Sequence, residues 1–581
     1  MKAVILLSTV CLVLAAMAAA QPIRRQPEPF VRVGVSYPIE LSRDGERAAA
    51  DLDAIHTLGF NNVRVPIEWG DVEPARHEYR FDDVDRMLGL ARRAYLRVVL
   101  DLDTEALPEW LLRRYPDGRF IPASRTDGPR PERACLDHPG VRDDVVTFVV
   151  SALQRVASPR AWQSIDIAEA PDTGFCLCPH TERRFRAWLK ETFGTETRPA
   201  VFAESDRATF AALTRRDHLA VIARAVGHGY LSSSRASAPS VIRQLLGEPP
   251  GQDDWLMTTA VDHHGTLVPP ALAREASLSP AQLGFALDAI RSASRDKGWL
   301  MTDRALANGA WPVGSAADLR LWTWTSFARG ARGVTFADWR APGRGTTGLV
   351  DWDGIISDRA RAAGELGRVI SRNPALFAPL RPRPSKVAIV YDPRLPTGQS
   401  FRTSAAAALG ANIYRAFFER NIQVDFIHLD EVAAGRAFRY AVVVAQSELT
   451  LPTPVAESLK AYVAAGGILV DASKTSATGD EVVRIAARMG VGPDVRIEGA
   501  TGPVETRFLE SADVLMLIGL NHADTRQRVK LMFTPDTQEA IWQNMESGSN
   551  VNFVAGPDGP TYTYSFRPKD ALVLMIRKSA R

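Results

Sequence analysis

The stretch Trp162–Leu189, WQSIDIAEAPDTGFCLCPHTERRFRAWL, decides how the rest of the chain is read. Ile165 to Ile167 has the apolar content of a buried strand, and it runs directly into a carboxylate, Glu169. A loop with Asp172, Cys176, Cys178 and His180 follows. From Glu182 to Lys190 the apolar residues Phe185, Trp188 and Leu189 recur at three- and four-residue spacing, which predicts a helix. An acid at the carboxyl end of a strand, followed by a loop and a helix, is what a (β/α)8 enzyme needs at its catalytic face.

Upstream, the same alternation repeats. Phe30–Tyr37 (FVRVGVSY) reads as a strand, Asp51–Leu58 (DLDAIHTL) as a helix and Asn61–Pro66 (NNVRVP) as a second strand. Phe81–Arg93 is helical in spacing, and Leu96–Leu102 (LRVVLDL) is a third strand. Strand and helix in turn predict a parallel sheet, closed here into a (β/α)8 TIM barrel over residues 27–380. Arg381-Pro-Arg-Pro384 reads as a linker. Lys386–Tyr391, a helix over Ala405–Arg420, Tyr440–Ala445, a helix over Val455–Ala464 and GGILVDAS then predict a small doubly wound α/β domain over 385–478. That domain carries no phosphate-binding glycine signature. Short alternating runs such as ADVLMLIGLNH and ALVLMIRK, broken by Gly, Pro and Asn, predict a C-terminal β-sandwich over 490–581.

A chain of 581 residues is too long for one core. The net charge of +3 is small for that size and gives no reason to expect nucleic acid or a membrane surface as partner. Lys2, the apolar run Ala3–Ala16 and the small residues Ala18-Ala19-Ala20 have the three zones of a secretory signal, so residues 1–20 are expected to be removed and the mature protein to be periplasmic or extracellular. No later segment reads as a membrane span. The mature chain then keeps Cys135, Cys176 and Cys178, an odd number that cannot be a complete set of internal disulfides. Two readings stay open: one disulfide with a thiol left over, or a zinc site in which His180 joins three thiolates.

Several runs carry a family resemblance: GVSYPIEL, NNVRVPIEWGDVEPARHEYRFDDVDRML, DLDTEALPEWLLRRYPDG, the Arg133–Cys135 region, the Trp162–Leu189 stretch, and LRLWTWTSFARGARGVTFADWR at Leu319–Arg340. In this order they resemble β-galactosidases of glycoside hydrolase family 42. The resemblance implies a retaining barrel enzyme acting on a terminal sugar, such as a β-galactoside or related β-glycoside, with the α/β domain making homotrimer contacts. It implies a structural zinc on Cys135, Cys176 and Cys178. The family's last cysteine falls on Thr181, a departure that His180 is expected to repair.

Glu169 is then the acid/base carboxyl that protonates the leaving oxygen and later deprotonates water. The family's preceding asparagine is Ala168 here. The nucleophile falls on Thr302 or Asp303 in GWLMTD, with Asp303 the candidate because threonine cannot take the role. Its carboxylate would need to lie about 5 to 5.5 Å from the acid. The segment APGRGTTGLVDWDG also lacks the family's sugar-contacting histidine and acid. Arg64 is a candidate partner for the nucleophile carboxylate, and Trp339 a platform for a sugar face. Tyr37, Trp69 and Glu73 are further candidates, while Asp101 and Asp103 lie where the third strand ends. The rival from another class is a catalytically silent sugar-binding relative.

Overall fold

The computed structural model describes residues 31–104, 106–122, 132–156, 162–168, 175–199, 203–226, 231–233, 263–267, 279–295, 299–303, 315–336, 338–341, 348–391, 405–445, 451–471, 479–534 and 541–578. Eight parallel strands close a barrel in chain order: β1 (Arg32–Ser36), β2 (Asn62–Glu68), β3 (Arg97–Asp103), β4 (Trp162–Ala168), β5 (Leu231–Ser233), β6 (His263–Leu267), β7 (Trp299–Asp303) and β8 (Ala331–Phe336). Pairing of Arg32 with Gly333 through Val35 with Phe336 closes the ring. Described helices between the strands cover its outside, among them Gly45–Leu58, Asp82–Arg93, Pro139–Val156 and Pro179–Phe193.

Several of the strands are rich in apolar residues because both faces are covered, one by the barrel interior and one by helices. β1 is buried at every position, and Val63, Val65, Val98, Leu100 and Leu102 belong to the same core. Gly34 shows how tight the interior is: a Cβ there would sit 2.1 Å from Asn62 Oδ1. Helix ends follow local chemistry. Ser279 and Ser315 each form a reciprocal capping box, and Gly59 closes Gly45–Leu58 at φ 112°.

Strands β10 (Val387–Tyr391), β11 (Asp425–His428), β12 (Val442–Ala445) and β13 (Ile468–Asp471) form a parallel sheet in the order β11-β10-β12-β13. The last unit consists of two packed antiparallel sheets. β14 (Val495–Glu498), β17 (Gln527–Phe533) and β20 (Thr561–Phe566) make the smaller one. The larger runs β19 (Asn550–Val551), β18 (Trp542–Asn544), β21 (Asp570–Arg577), β16 (Val514–Asn521), β15 (Val504–Glu510), β9 (Arg381–Pro382). Phe508, Leu517, Leu531, Trp542, Phe566 and Leu574 fill the space between them.

One expectation changes here. Arg381-Pro-Arg-Pro384 is more than a linker, because Arg381 and Pro382 form an edge strand against Glu510 and Leu509. A proline is tolerated there because an edge strand has one side without ladder partners.

The three units meet at a buried charge network. Arg329, which follows the helix Ala316–Ala328, makes a two-pronged contact with Glu505 of β15, both bonds at 2.9 Å. Asp288, on the helix Pro280–Ser294, accepts from Tyr414 of the α/β unit at 2.5 Å, from Arg507 of β15 at 3.3 Å and from Arg291 at 2.9 Å. Arg291 also reaches Asp425 at 2.8 Å, and His522 lies 3.1 Å from Glu505. Gly284 makes room for this crossing, since a Cβ there would fall 2.8 Å from the Tyr414 hydroxyl and 2.9 Å from Arg329.

Candidate active site and cysteine cluster

β4 ends at Ala168, so Glu169 is carried at the carboxyl end of the fourth strand, the functional face of such barrels. Glu169 itself lies outside the described residues. Asp303 is the last residue of β7, at the same end. On that strand Met301 turns toward the surrounding helices, where the Ser326 hydroxyl donates to its sulfur at 2.9 Å. Met301 therefore marks the outward face of β7.

The other barrel candidates are placed as follows. Arg64 is 8% exposed and donates to Asp101 on the neighbouring strand at 2.7 Å. Trp69 is fully buried, stacks on Phe148 at 5.4 Å and donates to Glu73 at 2.6 Å. Glu73 accepts in addition from the His77 N–H at 2.6 Å, which makes it an organiser of the loop after β2.

Tyr37 is also fully buried. Its hydroxyl donates to Asp51 at 3.2 Å, and Asp51 in turn receives Arg340 at 2.7 and 2.5 Å. Burial, reinforced by the Asp51 carboxylate, pushes the Tyr37 phenol above its ordinary range. Trp339 was expected to be a sugar platform; it is 1% exposed and packs edge-on against Phe60 at 6.4 Å. The left-handed backbone of Asp338 (φ 43°) turns the chain so that the Trp339 N–H donates to Ser36. In this arrangement Tyr37, Trp69 and Trp339 fasten strand ends to the surrounding layer.

The cysteines are brought together. Cys135, Cys176 and Cys178 are at most 3% exposed, are not joined by a disulfide, and have sulfurs all within 4.8 Å of one another. A short bridge of Pro122 with Cys176, with backbone bonds from Phe120 to Arg133 and from Cys135 to Gly118, sets them on one platform. The Cys176 sulfur accepts from the Ile121 N–H at 3.2 Å and the Cys178 N–H at 3.4 Å. Cys178 caps the helix Pro179–Phe193, accepting from the Thr181 N–H at 3.5 Å. N–H groups and a helix amino end aimed at sulfur favour thiolate over thiol.

The three sulfurs compete for charge. Hydrogen bonds from Cys135 and Cys176 hold Cys178 far toward the thiolate, while the neighbouring sulfurs and burial push Cys135 up. A cation would remove that competition. The Cys135–Cys178 separation of 3.4 Å is close to the edge of about 3.8 Å that zinc–sulfur bonds of about 2.3 Å imply for a tetrahedron. The donor set therefore fits a thiophilic divalent ion.

His180 does not join this group, contrary to the expectation from the sequence. Its Nε2 lies 2.9 Å from Asp117, and its Nδ1 faces the Arg183 guanidinium at 3.1 Å. His138 completes this second trio, with Nδ1 accepting from the Val141 N–H at 3.2 Å and Nε2 3.4 Å from Asp117. Arginine and the backbone N–H can only donate, so the network assigns the proton of both rings to Nε2, pointing at Asp117. The trio is thus satisfied by its own hydrogen bonds. His180 is drawn away because it follows Pro179 in the first helical turn, whereas Thr181, one residue on, faces the sulfurs.

The glycoside hydrolase family 42 profile, described as β-galactosidase, matches residues 37–200. The β-galactosidase of Heyndrickxia coagulans is 24% identical over 478 residues, covering 72% of this chain and 68% of that protein. One from a Thermus species is 24% identical over 503 residues, with 76% and 75% coverage. Among solved structures, the β-galactosidase of Bacillus circulans sp. alkalophilus superposes with a TM-score of 0.75 at 14% identity, over 95% of this chain and all of that one. The chain is a glycoside hydrolase family 42-like protein.

In this family 42-like protein, Asp137, Asp117 and His138 were not anticipated as part of the cluster's surroundings. Asp137 accepts from the Thr181 hydroxyl at 2.6 Å and pairs with His218 at 3.1 Å and with Arg184. Although burial opposes it, contact with His218 and then Thr181 holds the Asp137 carboxyl below its ordinary value. The only signal in the sequence was position, two residues after Cys135. Among the described residues no helix is long and apolar enough to cross a membrane.

Proposed function

We propose that the protein is a secreted retaining exo-glycosidase acting on terminal β-galactosides or closely related β-glycosides. Glu169 serves as acid/base and Asp303 as nucleophile, and a structural zinc is held by Cys135, Cys176 and Cys178. The observation that carries the reading is topological. A closed eight-stranded barrel ends β4 one residue before Glu169 and ends β7 at Asp303, so both acids enter at the carboxyl ends of their strands. The relatives named above are β-galactosidases, which supports the choice of sugar. Export rests on the amino-terminal pattern of residues 1–20, and a homotrimer through the α/β unit rests on the family resemblance.

A second reading is favoured by one observation, the outward-facing Met301. The choice between Thr302 and Asp303 then decides the matter, since a barrel mouth without a nucleophile would bind a sugar without cleaving it. Aryl β-glycosides separate the two. Hydrolysis with retained anomeric configuration is expected, with losses of roughly 10²-fold or more in Glu169→Gln and Asp303→Asn. Saturable sugar binding with no turnover, together with activity gained in Thr302→Glu, would establish the silent relative instead.

A further inference from the structure

Thr181 Oγ1 lies 3.2 Å from the Cys135 sulfur and 3.4 Å from the Cys178 sulfur, and its side chain is buried with them. The same hydroxyl is 2.6 Å from Asp137 Oδ2. In that bond the threonine hydroxyl is the donor, so its proton is committed to Asp137. Both oxygen lone pairs are then free to face the sulfurs. Asp137 is fixed in turn by His218 and Arg184, so the hydroxyl cannot easily rotate.

We infer that Thr181 Oγ1 is the fourth donor of the cysteine site, making it a three-sulfur, one-oxygen site for a thiophilic divalent cation. The inference rests on the zinc reading proposed above. With bonds of about 2.3 Å to sulfur and about 2.1 Å to oxygen, a tetrahedron has sulfur–oxygen edges of about 3.6 Å. The two observed edges are shorter by 0.4 and 0.2 Å, a small outward step for side chains that now touch one another. The rival donor, His180, belongs to the neighbouring Asp117–His138 trio.

A neutral hydroxyl is a weaker ligand than a thiolate or an imidazole, so this corner is the labile one. It also faces a cavity of about 120 Å³ whose walls include Cys135, Cys176, Thr181, Asp137, Thr214 and His218. The cavity therefore leaves space beside the labile corner as well as beside two of the sulfurs. Asp137 is a positioning residue in this scheme, since it orients the oxygen without touching the ion.

X-ray absorption on the zinc- or cadmium-loaded full-length protein counts the donors, and transfer of zinc to a chromophoric chelator measures lability. Three sulfurs and one oxygen are expected for the wild type. Thr181→Val keeps the shape and removes the oxygen, and should release zinc at least tenfold faster. Thr181→Cys should give four sulfurs and slower release, Thr181→Ser should restore the wild-type rate, and His180→Ala should change neither reading. A nitrogen in the wild-type shell that disappears in His180→Ala would overturn the assignment. So would Thr181→Val with an unchanged oxygen and release rate, which would mean that solvent supplies the fourth donor. Failure of the wild type to bind zinc or cadmium at all would remove the zinc reading beneath it, a result distinguishable from either.

Discussion

The charge network at the domain junction and the cysteine cluster at the barrel mouth are both buried and both charged, yet they solve desolvation in opposite ways. At the junction the polypeptide supplies every opposite charge itself: Arg329 faces Glu505, Arg291 faces Asp288 and Asp425, and Arg507 reaches Asp288. At the mouth three sulfurs meet N–H donors and a hydroxyl. The first region pairs its charges as folded. The second has a donor set that could hold a cation from outside the chain. Buried charge is costly unless paired, so each region should fail only under the treatment that removes its own counter-charge.

The largest effect is expected from cutting the junction. Glu505→Gln leaves Arg329 buried without its carboxylate and should cost about 3–5 kcal/mol in denaturant unfolding, while leaving zinc content unchanged. An unaltered midpoint would mean that the network is surface-like and would erase the contrast.

A crossed treatment sharpens it. Burial pushes Glu505 up, but Arg329 and the contacts with His522 and Arg507 hold it well below the ordinary 4.5. A depressed carboxyl contributes stability that is present above its unfolded value and is lost as pH falls through the folded one. Acid below about pH 4.5 should therefore weaken wild type more than Glu505→Gln. A strong chelator at neutral pH should lower the melting temperature of both proteins equally, because it acts at the mouth. Calorimetry on the two proteins reads both arms. The smallest effect is steric: Gly284→Ala pushes a methyl toward Tyr414 and Arg329 and should cost about 1–3 kcal/mol. Equal stability would show that the crossing has slack.

What could be read beforehand divides along the same line. The barrel was legible because buried parallel strands and their helices repeat a periodic signal that each segment carries locally. The cysteine cluster was legible because Cys176 and Cys178 are near neighbours in sequence and a third cysteine lies in the preceding barrel loop. His180 was expected in the cluster and lies outside it because adjacent residues of a helix point about 100° apart, a difference that separates His180 from Thr181. Tyr37 and Trp339 sit at strand ends, where composition does not say which side of the wall an aromatic ring takes. The contact of Arg64 with Asp101 comes from inter-strand register, which no single strand reveals. The junction was invisible, since Arg329 and Glu505 are 176 positions apart and only the assembled units bring them together.

Strand β9 has a consequence for how the molecule can be taken apart. Because Arg381 and Pro382 pair with β15, the last unit owns a piece of chain that precedes the α/β unit. The α/β unit is thus a guest inserted into a host, and the host is finished only after the guest has been synthesised. A protease cutting between barrel and guest would leave the carboxyl-terminal host without its edge, whereas excising the guest and splicing its ends would leave that edge in place.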